Sequence, residues 1–151
     1  MTIKNITIIG TGNLGSRIGL QAAISGYTVV FYDISDSILS NARASIEKIS
    51  AQLIKASLIT ETKKSEAFDR ITYTTDLQKS LADCDLISES VTEDLVIKEK
   101  VWKQLGELAP SKTIFTTNTS YLLPSQLATI SGRPEKFCAF HFHDVFYARV
   151  V

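Results

Sequence analysis

Residues 3–15 read IKNITIIGTGNLG, and this stretch decides the fold. Ile3 to Ile9 is a short β-branched apolar run of the kind found in buried parallel strands. Gly10-Thr11-Gly12-Asn13-Leu14-Gly15 then matches G-x-G-x-x-G, and from Gly12 to Ser25 the spacing turns helical, with Leu14, Ile18, Ala22 and Ala23 on one face. Gly26 stands where a helix C-cap is preferred, and Tyr27 to Tyr32 is a second apolar strand closed by Asp33. The unit is β-α-β with a dinucleotide fingerprint in its first turn. Gly10 permits the tight turn, Gly12 keeps side chains away from a pyrophosphate, and Gly15 lets helix and sheet approach. The helix start, through Asn13 and Leu14, presents unpaired N–H groups and partial positive charge to phosphates. Asp33 lies roughly 20 residues beyond the fingerprint, where a carboxylate hydrogen-bonds the adenosine ribose 2′-hydroxyl and repels a 2′-phosphate. NAD is therefore expected over NADP. The alternative is a glycine turn and a capping aspartate with no ligand.

Working outward, Asp36 to Leu58 reads as a long helix with Ser35 or Asp36 at its cap and Ile38, Ala42, Ile46, Ile49, Leu53 and Ala56 at helical spacing. A second, more polar helix is predicted over Thr60 to Phe68, and the two form a helical pair longer than a plain crossover needs. Strands at Ile71 to Thr74, Leu86 to Ser90, Thr113 to Thr117 and Lys136 to Phe142 alternate with helices at Asp76 to Ala82, Asp94 to Leu108 and Pro124 to Ile130. In the helix from Asp94, the residues Leu95, Val101, Trp102 and Leu105 are expected to face inward. Regular alternation predicts an α/β, Rossmann-type, doubly wound and mostly parallel sheet, with the long helical pair inserted after the second strand.

Composition sets the outer limits. The 151 residues suffice for one domain, expected to span residues 1–151. Sixteen Lys plus Arg balance sixteen Asp plus Glu, so nothing suggests a nucleic-acid partner. No apolar run approaches the ~20 residues of a bilayer span, and no signal-peptide pattern precedes the first strand, which points away from the membrane and toward the cytoplasm. Cys84 and Cys138 lie outside any CxxC, so two buried reduced thiols and no metal site are expected. The chain stops at Val150-Val151 inside an apolar stretch without a closing cap, as a cut fragment would.

Three more segments carry a resemblance: Leu86-Ile87-Ser88-Glu89-Ser90-Val91-Thr92-Glu93-Asp94-Leu95-Val96-Ile97-Lys98, then Thr117-Asn118-Thr119-Ser120, then Phe140-His141-Phe142. In motif and spacing they resemble the L-3-hydroxyacyl-CoA dehydrogenases, over essentially the whole chain and on the NAD-binding domain of that family. The resemblance implies an acyl-CoA substrate, oxidation of a 3-hydroxyacyl-CoA to the 3-oxoacyl-CoA, and a place in fatty-acid β-oxidation or butyrate-type metabolism. It implies that His141 is the general base for oxidation and the acid for reduction, a task suited to a group titrating near 6.5. Ser120 would hold the substrate oxygen, since a hydroxyl both donates and accepts. Asn118 would orient the loop or touch the nicotinamide ribose. Glu93 and Lys98 would lie near the nicotinamide half of the cofactor, and Ser45, Lys48, Lys55 and Ser57 are candidates for CoA phosphate contacts. The family's all-helical C-terminal domain, which completes the cleft and supplies most dimer contacts, is absent from this sequence, so turnover by the chain alone is expected to be poor.

Each assignment has an alternative. His141 suits a hydrogen-bonded core histidine; Ser120 and Asn118 suit an ordinary turn. Glu93 suits a helix N-terminus, Lys98 could pair with Asp94 four residues back, and the residues of the helical pair suit a solvated face. The sequence also departs from the family's HFFNP: it reads His141-Phe142-His143-Asp144-Val145, with Asp144 in place of Asn and Val145 in place of Pro. The departure fits an altered substrate preference, such as a free 3-hydroxy acid or sugar acid. It also fits an imidazole pKa raised by Asp144. A non-catalytic NAD-binding or structural module is the third reading.

Overall fold

The computed structural model describes residues 2–142; His143, Asp144, Val145 and the chain beyond them lie outside the described residues. Six strands form one parallel sheet in the order β3-β2-β1-β4-β5-β6. They are β1 (Asn5–Ile9), β2 (Thr28–Tyr32), β3 (Ile71–Thr74), β4 (Leu86–Glu89), β5 (Ile114–Thr117) and β6 (Phe137–Ala139). The helices are α1 (Asn13–Ile24), α2 (Asp36–Lys55), α3 (Glu61–Phe68), α4 (Leu77–Leu81), α5 (Leu95–Leu108) and α6 (Pro124–Ile130). Strand order reverses between β1 and β4, the switch point at which doubly wound sheets open a crevice outside the carboxyl ends of their strands.

Successive strand residues point to opposite faces, so each strand feeds two apolar layers. Ile8 and Phe31 enter the layer made with α1, α2 and α3, around Leu20, Leu39 and Ile46. Ile9 and Ile87 enter the other, around Trp102, Leu105 and Leu127. Trp102 fills its layer edge-on to Phe137, with ring centroids 4.6 Å apart. The fully buried aliphatic and aromatic side chains each contribute about 1.5–3 kcal/mol of transfer free energy, which drives the layers together.

Most elements fall where the periodicity places them, and the differences have local causes. The long helix stops at Lys55 and not at Leu58, because Ser57 adopts a left-handed φ of 57° and turns the chain. Its buried stripe runs Leu39, Ala42, Ile46, Ser50 and Leu53; Ala56 is exposed. Its pairing with α3 is loose: both helices lie against α1, and Lys64 reaches Glu47 at 3.0 Å. Leu95, expected to face inward, is 37% exposed at the first turn of α5. The last strand is only Phe137–Ala139, preceded by a 3-10 turn at Pro134–Lys136. Cys84 is buried as expected, but Cys138 is exposed on this edge strand. Among the described residues no helix is long and apolar enough to cross a membrane.

Candidate functional site

With all strands parallel, every strand delivers its following loop to one edge of the sheet. Gly10 leaves β1 with φ +90°, a conformation natural to glycine, and its N–H donates to Tyr32 O at 3.0 Å. A Cβ on Gly15 would sit 2.0 Å from Gly10 O, so only glycine lets α1 start this close to the turn. Gly12 is different: a Cβ there would meet nothing within 4 Å. Its lack of a side chain answers to no packing inside the chain. The start of α1 also has no side-chain cap, whereas α2, α3, α4 and α5 are capped by Ser35, Thr60, Asp76 and Asp94. Open space over uncapped N–H groups at Asn13 and Leu14 fits an anionic diphosphate.

Asp33, just past β2, is fixed by this turn. Its Oδ2 accepts from Thr11 N at 2.7 Å and Thr11 Oγ1 at 3.0 Å, and its Oδ1 accepts from Ile34 N at 2.8 Å. Beside it lies a cleft of about 420 Å³ lined by Gly10, Asp33, Ile34, Val91, Ile97 and Val101 among others. A mostly apolar slot ending in a carboxylate suits a nucleoside, with the ring in the slot and sugar hydroxyls at Asp33. A second cleft of about 330 Å³ runs between the glycine turn and α2, where Asn41 and Ser45 face Gly12 and Asn13. Of the helical-pair candidates, Ser45 is half-buried at this cleft, while Lys48, Lys55 and Ser57 are exposed. These residues fit a dinucleotide along the sheet edge.

Across the switch point, Ser120 follows β5 and His141 follows β6. Ser120 Oγ and His141 Nε2 lie 2.9 Å apart, so the hydroxyl and the imidazole form a hydrogen-bonded pair across two loops. Asn118 is buried, and its Oδ1 accepts from Phe142 N at 2.7 Å. Phe140 N donates to Thr117 O at 2.9 Å, so the segment bearing His141 is held on both sides of the imidazole. The Asn118 carbonyl thus ties the loop after β5 to the segment after β6.

The loop after β4 contains a buried charge cluster that sequence reading resolved only in part. Lys98 is fully buried, and its ammonium lies 2.6 Å from Glu89 Oε1, 3.4 Å from Glu93 Oε2 and 3.3 Å from Val91 O. The pairing with Asp94 does not occur: Asp94 turns to cap α5 by accepting from Ile97 N at 3.0 Å. Glu89 is the residue that sequence reading missed. Fully buried at the end of β4, it accepts from Thr117 Oγ1 at 2.6 Å, Trp102 Nε1 at 3.3 Å and Val91 N at 2.8 Å. A lone carboxylate closing an apolar strand was the available signal, since a strand end buried on both faces tolerates one only when it is paired. Glu93 Oε1 accepts from the Thr119 hydroxyl, from Ser120 N at 2.9 Å and from Tyr121 N at 3.1 Å. Burial alone would raise the Glu93 pKa. The bonds from Thr119, Tyr121 and Ser120, with the charge of Lys98, outweigh it and hold the carboxyl at about 2. Among the described residues no cluster of metal-ligating side chains occurs.

Residues 5–146 match the family model described as "3-hydroxyacyl-CoA dehydrogenase, NAD binding domain". The chain belongs to this family. Its cofactor is NAD. A "Probable 3-hydroxybutyryl-CoA dehydrogenase" of Deinococcus radiodurans is 38% identical over 135 residues, covering 89% of this chain and 48% of the relative. Among solved structures, a diketoreductase described by its "dual catalysis of dicarbonyl compounds" superposes with a TM-score of 0.90 at 43% identity, over 94% of this chain and 51% of that one. The (S)-3-hydroxybutyryl-CoA dehydrogenase of Ralstonia eutropha gives a TM-score of 0.90 at 30% identity, over 95% and 50%. This chain therefore spans about half the length of the relatives it matches.

Proposed function

We propose that this chain is the NAD-binding part of a dehydrogenase that oxidises L-3-hydroxyacyl-CoA, such as 3-hydroxybutyryl-CoA, to the 3-oxoacyl-CoA. The observation that carries the reading is the Ser120–His141 pair at 2.9 Å, on the same sheet edge as an uncapped glycine turn. Gly10, Gly12, Asn13, Leu14 and Gly15 hold the diphosphate, and Asp33 takes the ribose hydroxyl. NAD supplies the hydride acceptor when bound. Ser120 Oγ keeps one hydrogen bond with the substrate oxygen in either redox state. His141 receives the hydroxyl proton as the carbon loses hydride, and returns it in the reductive direction. Lys98, enclosed by protein, reaches the cofactor only through Glu93.

Two measurements test this. Calorimetry on the chain should show NADH binding, and His141→Ala should leave that affinity near normal. Reduction of acetoacetyl-CoA with NADH, measured in a protein with both halves of the family's architecture, should fall by ~10²-fold or more in His141→Ala. Unchanged turnover would remove His141 from the mechanism. The 151-residue chain alone should turn over poorly; a normal rate would overturn that expectation. The family's homodimer, assembled through a helical domain, and a cytoplasmic setting complete the proposal.

A second reading draws support from the 43% identity with the diketoreductase chain and from the His143-Asp144-Val145 departure in sequence. On that reading the substrate is a dicarbonyl compound without CoA. Reducing acetoacetyl-CoA and ethyl acetoacetate side by side separates the two, since a CoA-dependent site prefers the first and is inhibited by free CoA.

A further inference from the structure

We propose that Thr11 is a positioning residue for the adenosine end of the cofactor, its hydroxyl locking Asp33 in place and so keeping NAD preferred over NADP. The glycine fingerprint leaves position 11 open to any residue. In this chain the side chain there is turned inward, and Thr11 is only 2% exposed. Its N–H and its hydroxyl donate to the same carboxylate oxygen, Asp33 Oδ2, at 2.7 and 3.0 Å. Thr11 is itself held by the first turns of α1, because Ser16 Oγ donates to Thr11 O at 2.7 Å. A residue this enclosed acts on a ligand through its neighbour.

A carboxylate held by one hydrogen bond can pivot about it. Two donors from one residue, aimed at one oxygen, remove that freedom. The other oxygen, Oδ1, accepts from Ile34 N at 2.8 Å and keeps a second lone pair for a sugar hydroxyl. Asp33 is half-buried at the edge of the cleft of about 420 Å³ that suits the nucleoside. A fixed anion discriminates twice there: it accepts from a 2′-hydroxyl and repels a 2′-phosphate. An anion free to swing does both less well. Among the described residues lining this cleft Lys100 is the one cation, and it becomes available to a 2′-phosphate once the carboxylate moves aside. The Thr11 contact is strong enough to matter, since a hydrogen bond to an ionised acceptor is roughly twice as strong as a neutral one.

The proposal rests on the reading that Asp33 takes the ribose hydroxyl, and a double-mutant cycle separates the two. NADH and NADPH affinities are measured by calorimetry for wild type, Thr11→Val, Thr11→Ser, Asp33→Ala and the Thr11→Val/Asp33→Ala pair. The valine form keeps the shape and drops the donor; the serine form keeps the donor. Thr11→Val should weaken NADH binding about tenfold and NADPH binding by less than about threefold, so that the preference narrows. Thr11→Ser should stay within about threefold of wild type for both. In the Asp33→Ala background, Thr11→Val should change NADH affinity by less than about twofold. Equal weakening of both dinucleotides, a serine form as poor as the valine form, an undiminished effect without Asp33, or a valine form that binds like wild type would each overturn the proposal. If Asp33→Ala binds NADH as well as wild type does, the ribose reading falls and this proposal with it. An effect at Asp33 with none at Thr11 sinks the proposal alone. Should Thr11→Val fail to fold by circular dichroism, Thr11→Ala takes its place in the same cycle.

Discussion

Lys98 has no route to water, and its ammonium has three oxygens within reach, two of them on carboxylates. Removing one member of such a buried pair leaves the other charged and unsolvated, whereas removing both together does not. Lys98→Met should therefore lower unfolding free energy by about 3–5 kcal/mol, and Glu89→Gln combined with Lys98→Met should cost less than the sum of the singles. Urea titrations of the four forms measure this; strict additivity would mean that the two side chains are not coupled. The pair also shows why the alternative pairing of Lys98 with Asp94 does not form. The i−4 rule compares residues along one helix surface, but Glu89 lies nine residues back, on a strand that meets the lysine only after the loop folds. The cysteines give a parallel lesson. Burial raises the Cys84 thiol pKa, and its Sγ donates to Leu86 O at 3.2 Å, while Cys138 faces outward on an edge strand that covers only one side. Thiol alkylation of the folded chain should label Cys138 and leave Cys84 unreacted until denaturant is added; equal rates at both would contradict the buried placement.

At the scale of elements, α1 is the informative one. Its start has the open geometry of an N-cap, with Gly12 at φ −61° and ψ −166°, which any residue adopts. Serine is as good a cap as glycine or better, so Gly12→Ser should leave stability within about 0.5 kcal/mol. The same hydroxymethyl stands over the open N–H groups, so NADH affinity should fall about tenfold or more. Gly15→Ala should do the reverse kind of damage: its Cβ meets Gly10 O at 2.0 Å, and relieving that contact should cost about 3 kcal/mol of stability. Thermal melts beside NADH titrations on both variants separate the roles of two glycines that look alike in the fingerprint. The fingerprint, the strand–helix alternation and the sheet edge were legible because they depend on local periodicity and turn chemistry. Ends without a local marker were not. The stop of α2 is set by a serine in a left-handed conformation, where a glycine would have announced it. The shortness of β6 follows from its position at the sheet edge, with a single neighbouring strand.

For the molecule as a whole, two carboxylates tie acid stability to the fold. The Lys112 ammonium, 2.7 Å away, and the N–H groups of Asn5 and Lys4 hold the Asp85 pKa at about 2. Glu93 is depressed to the same value by the contacts described above. A pKa lower in the folded than in the unfolded chain stabilises fully above the unfolded value and less as pH falls through the folded one. Stability should hold from about pH 7 to 5 and decline steeply from about pH 5 to 2. Urea midpoints across that range test it, and a flat profile would exclude both groups as contributors. Asp85→Asn should flatten part of the decline. That Ser120 and His141 follow strands at one edge of the sheet was legible at this scale too, from the order of the predicted elements. Which polar group holds which was not, since the partners Asn118–Phe142 and Glu93–Ser120 are 24 and 27 residues apart and are set by the register of three strands.

Asp85 draws the start of β1, the start of β4 and the approach to β5 into one knot on the rim opposite the clefts. Arg133 adds to it on that side by donating to Gly106 O in the last turn of α5 and to Ala109 O and Pro110 O just beyond its end. One rim is thus laced shut while the other carries the exposed loops. Mutations then sort by rim. Changes among the loops around Tyr121 and Phe140, both half-exposed or more, can redirect what the protein acts on without endangering its folding. Such a layout leaves a lineage free to try new substrates while the scaffold stays intact.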